Sequence, residues 1–239
     1  MLKHIIFACL LSCPAMTVLN AQSCGNDDKY HLPYKNTYVK EPLVTENEYR
    51  VAKPETIEPK SFKEARKILP CPIWSGHEKE LEMYWRAWEI AIGNIRAPQP
   101  GSGFVSSYLD TAYNGNIFMW DTSFILMFAR YGTRFFPFQQ TLNNFYAKQH
   151  PDGFICREIK ADGADCFERY DPTSTGPNLI PWCEMVYYHQ FGDMERLHKI
   201  FPVLCGYYKW LKLNRTWRNG TYWSSGWGTG MDNMPRVPA

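Results

Sequence analysis

The stretch SGHEKELEMYWRAWEIAIGNI, Ser75 to Ile95, decides how the rest of the chain is read. Leu81, Tyr84, Trp85, Trp88, Ile92 and Ile95 recur three or four residues apart, so a helix gathers them on one stripe. Ser75 and Glu78 stand at capping-box spacing and mark its start. The Pro/Gly-rich break APQPGSG, 97–103, ends it.

The same signal continues toward the C-terminus. In MWDTSFILMFARYG, 119–132, residues Ile125 to Ala129 are apolar all round, which predicts a helix buried on every side. PFQQTLNNFYAKQ, 137–149, puts Phe138, Leu142, Phe145 and Gln149 on one face, with Pro137 suited to the first turn. PNLIPWCEMVYYHQFG, 177–192, has Pro177 near its start and Gly192 as a stop, with Pro181 limiting its regular part. Asp193 caps DMERLHKIF, and Pro202 argues against one unbroken helix continuing through VLCGYYKWLKLN. No strand pattern competes.

Helix follows helix across loops that alternate between short and long, as in antiparallel helical hairpins. A buried helix followed by an amphipathic one suits a double-layered α/α toroid. A plain bundle explains the helices equally well but not the long loops rich in Gly, Asp and Trp. Residues 22–60 are polar and aperiodic, an extended lead-in that wraps the domain or stays mobile. The domain proper is expected over 61–239.

The N-terminus, MLKHIIFACLLSCPAMTVLNAQ, has one early lysine, an apolar run too short to span a bilayer, and small residues before Gln22. It reads as a signal peptide over 1–21, and hence as a protein exported to the periplasm or secreted. In the alternative, Cys13 ends a lipobox and carries a lipid anchor to the cell envelope. The apolar character beyond Cys13 favours simple cleavage. Cleavage removes Lys3 and no acid, so the formal charge falls from +2 to +1. That balance gives no electrostatic case for nucleic acid as a partner. Cys24, Cys71, Cys156, Cys166, Cys183 and Cys205 remain. Cys156 and Cys166 flank a polar loop and are candidates for a disulfide. None of the spacings is C-x-x-C, so no zinc site is expected.

An aromatic fraction of 16% hints at a stacking pocket, and three stretches supply the residue types to line one. In NGNIFMWDTSF, Asp121 is placed to cap a helix or, beside Trp120, to accept hydrogen bonds from sugar hydroxyls while the indole covers the ring face. Around the turn Pro151-Asp152-Gly153 lie Gln149, Arg157 and Glu158, and Trp182 and Glu184 follow on the next helix. Asp152 itself suits ordinary turn chemistry. In GWGTGMDNMPR, 226–236, three alternating glycines permit close backbone approach, and Asp232, Asn233 and Arg236 follow. Taken alone, that last stretch is a turn stabilised by Asx hydrogen bonds.

The ordered succession WDTSF, QHPDGFICREI, STGPNLIPWCEMVYYHQFGD, FPVLCGYYKWL and SSGWGTGMDNMPR resembles the catalytic domain of glycoside hydrolase family 63 and its trehalase-like relatives. The likeness covers roughly residues 75–238. It implies an all-α fold, an incomplete (α/α)6 toroid of the six-hairpin glycosidase type, and an inverting hydrolase of an α-linked glycoside or oligosaccharide. In that chemistry an acid protonates the leaving oxygen while a carboxylate on the opposite face activates water. By match to the family's loop, Asp232 is the general acid, kept protonated by apolar walls such as Trp223 and Trp227. Trp120, Asp121, Gln149, Arg157, Glu158, Trp182, Glu184, Trp227 and Asn233 would line the sugar pocket, and Arg236 would brace the loop. No metal or organic cofactor is implied.

In the family the general base is a Glu well C-terminal to the acid loop, on the other half of the ring. The chain offers only about half the helices of a closed toroid. It is therefore expected to be a truncated frame, lacking the base and hydrolytic activity of its own. The competing expectation is a non-catalytic glycan-binding protein that keeps the aromatic pocket.

Overall fold

The computed structural model describes residues 36–58 and 60–229, and over these the fold is helix-rich. The expected signal peptide, Cys13, Cys24, Asp232, Asn233 and Arg236 lie outside the described residues. Helix α1, Phe62–Ala65, is short, and α2 spans Glu78–Gly93. Two-residue strands β1, Ile95–Arg96, and β2, Tyr108–Leu109, pair antiparallel. Strand β3, Ile117–Phe118, leads into α3, Met119–Ala129. Helix α4, Thr141–Ala147, and strand β4, Glu158–Ile159, follow. Helices α5, Ile180–Phe191, and α6, Met194–Asn214, complete the set.

The stripe on α2 faces the core as its spacing predicts, with Trp88 and Ile92 buried and Leu81, Tyr84 and Trp85 half-buried, while Ile95, expected on the same stripe, is buried in β1 after the helix has ended. Its capping box does not form. Trp74 and His77 stack at 3.8 Å between ring centroids, Ser75 stays in a turn, and His77 is the N-cap without a side-chain bond. The capping box sits instead on α1: the Ser61 hydroxyl accepts from Glu64 N–H, and the Glu64 carboxylate accepts from Ser61 N–H.

Burial of the next two helices is the reverse of the expectation. Helix α3 is not covered all round: Leu126 and Ala129 are buried, while Phe124 is 45% exposed and Phe128 37%. Helix α4 is the more enclosed one, with Thr141, Leu142, Asn144, Phe145 and Tyr146 all buried. Its polar positions go inside because neighbouring backbone needs them. Asn144 Oδ1 accepts from Val105 N–H and Ser106 N–H, and its Nδ2 donates to Ser106 O.

Pro181 occupies the first turn of α5, and Gly192 closes it at φ 68°, a left-handed C-cap that suits glycine. Asp193 caps α6 as predicted, accepting from Arg196 N–H at 2.9 Å. Contrary to expectation, α6 continues through Pro202 as one helix of 21 residues. An internal proline costs about 3 kcal/mol. Here it is buried together with Ile200, Val203, Tyr207, Trp210 and Leu211, and that packing outweighs one lost backbone bond.

The described part of the lead-in wraps the domain. Its two 3-10 turns, Pro42–Glu46 and Glu48–Val51, lie against α6 and α4. Asn47 Nδ2 donates to Tyr146 O and to Gln149 Oε1, both at 2.9 Å, and Thr37 N–H donates to Asn214 Oδ1 at 3.0 Å. Cys156 and Cys166 are free thiols rather than a disulfide. No helix among the described residues is long and apolar enough to cross a membrane.

Candidate sugar-binding cleft

Backbone pairing brings four separated stretches to one place. Strands β3 and β4 align Phe118 with Glu158, and Met119 N–H donates to Arg157 O at 2.8 Å. Arg157 N–H in turn donates to Ser174 O at 2.9 Å. The next link is between glycines. A Cβ on Gly228 would lie 2.4 Å from Thr175 O, and one on Gly176 would lie 2.5 Å from Gly228 O. Only residues without a side chain allow these backbones to touch.

The result is a cleft of about 240 Å³ lined by Trp120, Asp121, Arg157, Pro177 and Trp227, together with Ala112 and Phe118. Trp120 and Asp121 lie in the first turn of α3, whose N-cap is Phe118 without a side-chain bond. Asp121 is therefore not the cap, and its carboxylate complements the positive end of the helix. The Arg157 Nε donates to Thr173 O at 2.5 Å, and the guanidinium lies 4.5 Å over the Phe167 ring. This fixes the plane of the group that forms the wall. A carboxylate, a guanidinium and two indoles can accept from hydroxyls, donate to ring oxygens and cover an apolar ring face.

The other expected site residues lie elsewhere. Glu158 sits just outside, accepting from Asn116 Nδ2 at 3.1 Å. Trp182 does not line the cleft. It joins the cleft through Phe124, whose ring is 5.1 Å from Trp120 and 6.1 Å from Trp182. Gln149 is buried and spent on structure: its Nε2 donates to Gly153 O and Val203 O, and its Oε1 accepts from Asn47. Glu184 is also buried, accepting from Tyr146 Oη at 2.6 Å and from two nitrogens of Arg196. Burial, reinforced by the Glu184 charge, pushes the Tyr146 phenol well above its usual range. Burial opposes the charge of Arg196, but Glu184 outweighs it and the pKa is raised. Asp152 serves the turn through its Oδ1, which accepts from Phe154 N–H at 3.4 Å, and its Oδ2 ties the turn to α6 by accepting from Trp210 Nε1 at 3.0 Å. The Arg215 guanidinium lies 4.8 Å over the Trp223 ring.

Arg215 was missing from the sequence-based set. It lies between the rings of Trp210 and Trp223 and donates to Thr175 Oγ1, Ser174 Oγ and Asp171 O, pinning the segment behind the cleft. Among the described residues no group of three or more His, Cys, Asp or Glu side chains is placed to hold a metal.

No family model matches the chain, and no solved structure matches it. An uncharacterized protein of Borreliella burgdorferi is 28% identical over 98 residues, which cover 41% of this chain and 21% of that protein. The match thus spans about a fifth of the relative's length.

Proposed function

We propose that the cleft binds a sugar and serves an exported inverting glycosidase of the family 63 type, acting on an α-linked glycoside or oligosaccharide. The supporting observation is the convergence of Trp120, Asp121, Arg157 and Trp227 from three distant stretches on one cavity. The glycine contact between residues 176 and 228 also brings the start of the GWGTG stretch to that cavity. Asp232, four residues beyond Gly228, is the proposed proton donor. Trp227 is the wall that favours its neutral form. In this proposal the described helices form part of an (α/α)6 toroid.

Titration calorimetry against a panel of α-glucosides tests the site. Wild-type protein should bind and Trp120→Ala should lose at least tenfold in affinity; absence of binding by the folded wild type sinks the proposal. The catalytic role is tested in an enzyme containing both halves. There Asp232→Asn should abolish turnover of ordinary glycosides while substrate affinity persists. Unimpaired turnover in that variant means the acid is elsewhere. A second reading, non-catalytic glycan binding, draws on the same aromatic walls and predicts binding without turnover in either form.

A further inference from the structure

Beside the cleft, the loop 110–116 is built rigidly around a buried carboxylate. The side chain of Asp110 is fully enclosed; its Oδ1 accepts from Ala112 N–H at 3.0 Å and its Oδ2 from Gly115 N–H at 2.9 Å. Arg96 Nε reaches the same Oδ2 at 3.4 Å, and Tyr108 Oη donates to Gly115 O at 2.6 Å. Such a scaffold holds the loop tip in one conformation.

At that tip stands Tyr113, at φ 62°, the one residue other than glycine in the left-handed region among the described residues. Glycine, Asn or Asp fills such positions without strain, and a bulky aromatic side chain does not. The ring is also 68% exposed, so it gains little from burial. In the same loop Thr111 Oγ1 is buried without a hydrogen-bond partner among the described residues. Nothing in the stability of the loop accounts for an aromatic residue there. Strained positions of this kind concentrate where a side chain is held for a ligand. Ala112, the residue before it, lines the cleft.

We infer that Tyr113 is a specificity-determining residue at the cleft mouth, presenting its ring to the part of a glycoside that projects from the pocket. This rests on the proposed sugar site and narrows its ligands to glycosides whose aglycone offers a flat or apolar face. Asp110 fixes the loop backbone on either side of Tyr113.

Two probes separate the inference from the site on which it rests: methyl α-glucoside, which ends near the pocket, and p-nitrophenyl α-glucoside, whose aryl ring projects. Tyr113→Asn keeps a residue that tolerates the backbone and removes the ring. It should bind the aryl glycoside about two- to tenfold more weakly, as expected for loss of one stacking contact, with methyl glycoside affinity as in wild type. Tyr113→Phe should bind both as wild type does. Equal affinities in wild type and Tyr113→Asn overturn the inference, and so does an equal loss for both probes. If wild type binds neither probe, the sugar site fails and the role of Tyr113 fails with it.

Discussion

Arg196 grips Glu184 through two hydrogen bonds, Nε to Oε2 at 2.8 Å and Nη2 to Oε1 at 2.6 Å. The pair joins α5 to α6 and reaches α4 through Tyr146 Oη and the Asn143 side chain. Removing one partner strands a buried charge. Arg196→Met is expected to cost about 3–5 kcal/mol in urea unfolding. The double variant Arg196→Met/Glu184→Met should recover much of that, because no charge is then left unpaired. A single variant as stable as wild type would show that the pair contributes nothing net.

Alkaline stability follows from buried groups that resist ionisation. Burial raises the Cys156 thiol from 9.0 to about 11 and the Cys183 thiol to about 12, and Tyr146 is raised as well. Above pH 9 the unfolded chain releases these protons first, so it binds fewer than the native state and stability falls with rising pH. The contribution is fully present below pH 9 and is lost as pH climbs through the folded-state values. Cys156→Ala should flatten the decline between pH 9 and 11, measured as the urea midpoint. An unchanged slope would count against a buried thiol at that position.

Arg215 is expected to matter more than its charge suggests. Arg215→Lys keeps the charge but cannot make the forked set of bonds to Asp171, Ser174 and Thr175. A loss of about 2–4 kcal/mol is expected, since charge-assisted bonds contribute about 1.5–3 kcal/mol each and some are replaced by water. Affinity at the proposed sugar site should fall too, because the pinned segment backs the cleft. Full rescue by lysine would reduce Arg215 to a simple cation.

The touching glycines should be more sensitive in binding than in folding. Gly228→Ala places a methyl 2.4 Å from Thr175 O, so the loop must shift outward. Weaker binding at the proposed sugar site is expected, with unfolding changed by less than about 2 kcal/mol because the strain is confined to one loop contact. Binding equal to wild type would mean that this contact does not shape the cleft.

The exposed apolar face of α3 and α5 predicts self-association. Phe124 is 45% exposed and Trp182 46%, with their rings 6.1 Å apart. Replacing both with Ser should leave stability within about 1 kcal/mol while lowering the sedimenting mass and the binding of an apolar dye. No change in either readout would show that the face is inert.

What the sequence disclosed depended on how local the physics was. Helix positions were legible because a 3.6-residue period and an Asp193 cap act over a few residues. Pro202 misled because a local rule met a long-range one: the burial of α6 outweighs the missing bond. The exchange of roles between α3 and α4 was also invisible, since Asn144 looks polar until Val105 and Ser106 need its amide. The cleft was half legible. Trp120, Asp121, Arg157 and Trp227 carry sugar chemistry in their residue types, and they do meet. Gln149 and Glu184 carry it too, yet their partners Asn47 and Arg196 are fixed only by tertiary packing. Arg215 had no local signal at all, because its importance comes from two indoles and three loop acceptors that only the fold assembles.

The wrapped lead-in gives the chain an order of events. Thr37 and Asn214 are bonded across 177 residues, and Asn47 and Gln149 across 102. Contacts so remote in sequence form only after the intervening elements have condensed. The belt is thus expected to be the last element to close on folding and among the first to open. Its amides should be the latest protected in pulse-labelled hydrogen exchange, after those of α6. The strap that seals the helices therefore cannot form until residue 214 is in place.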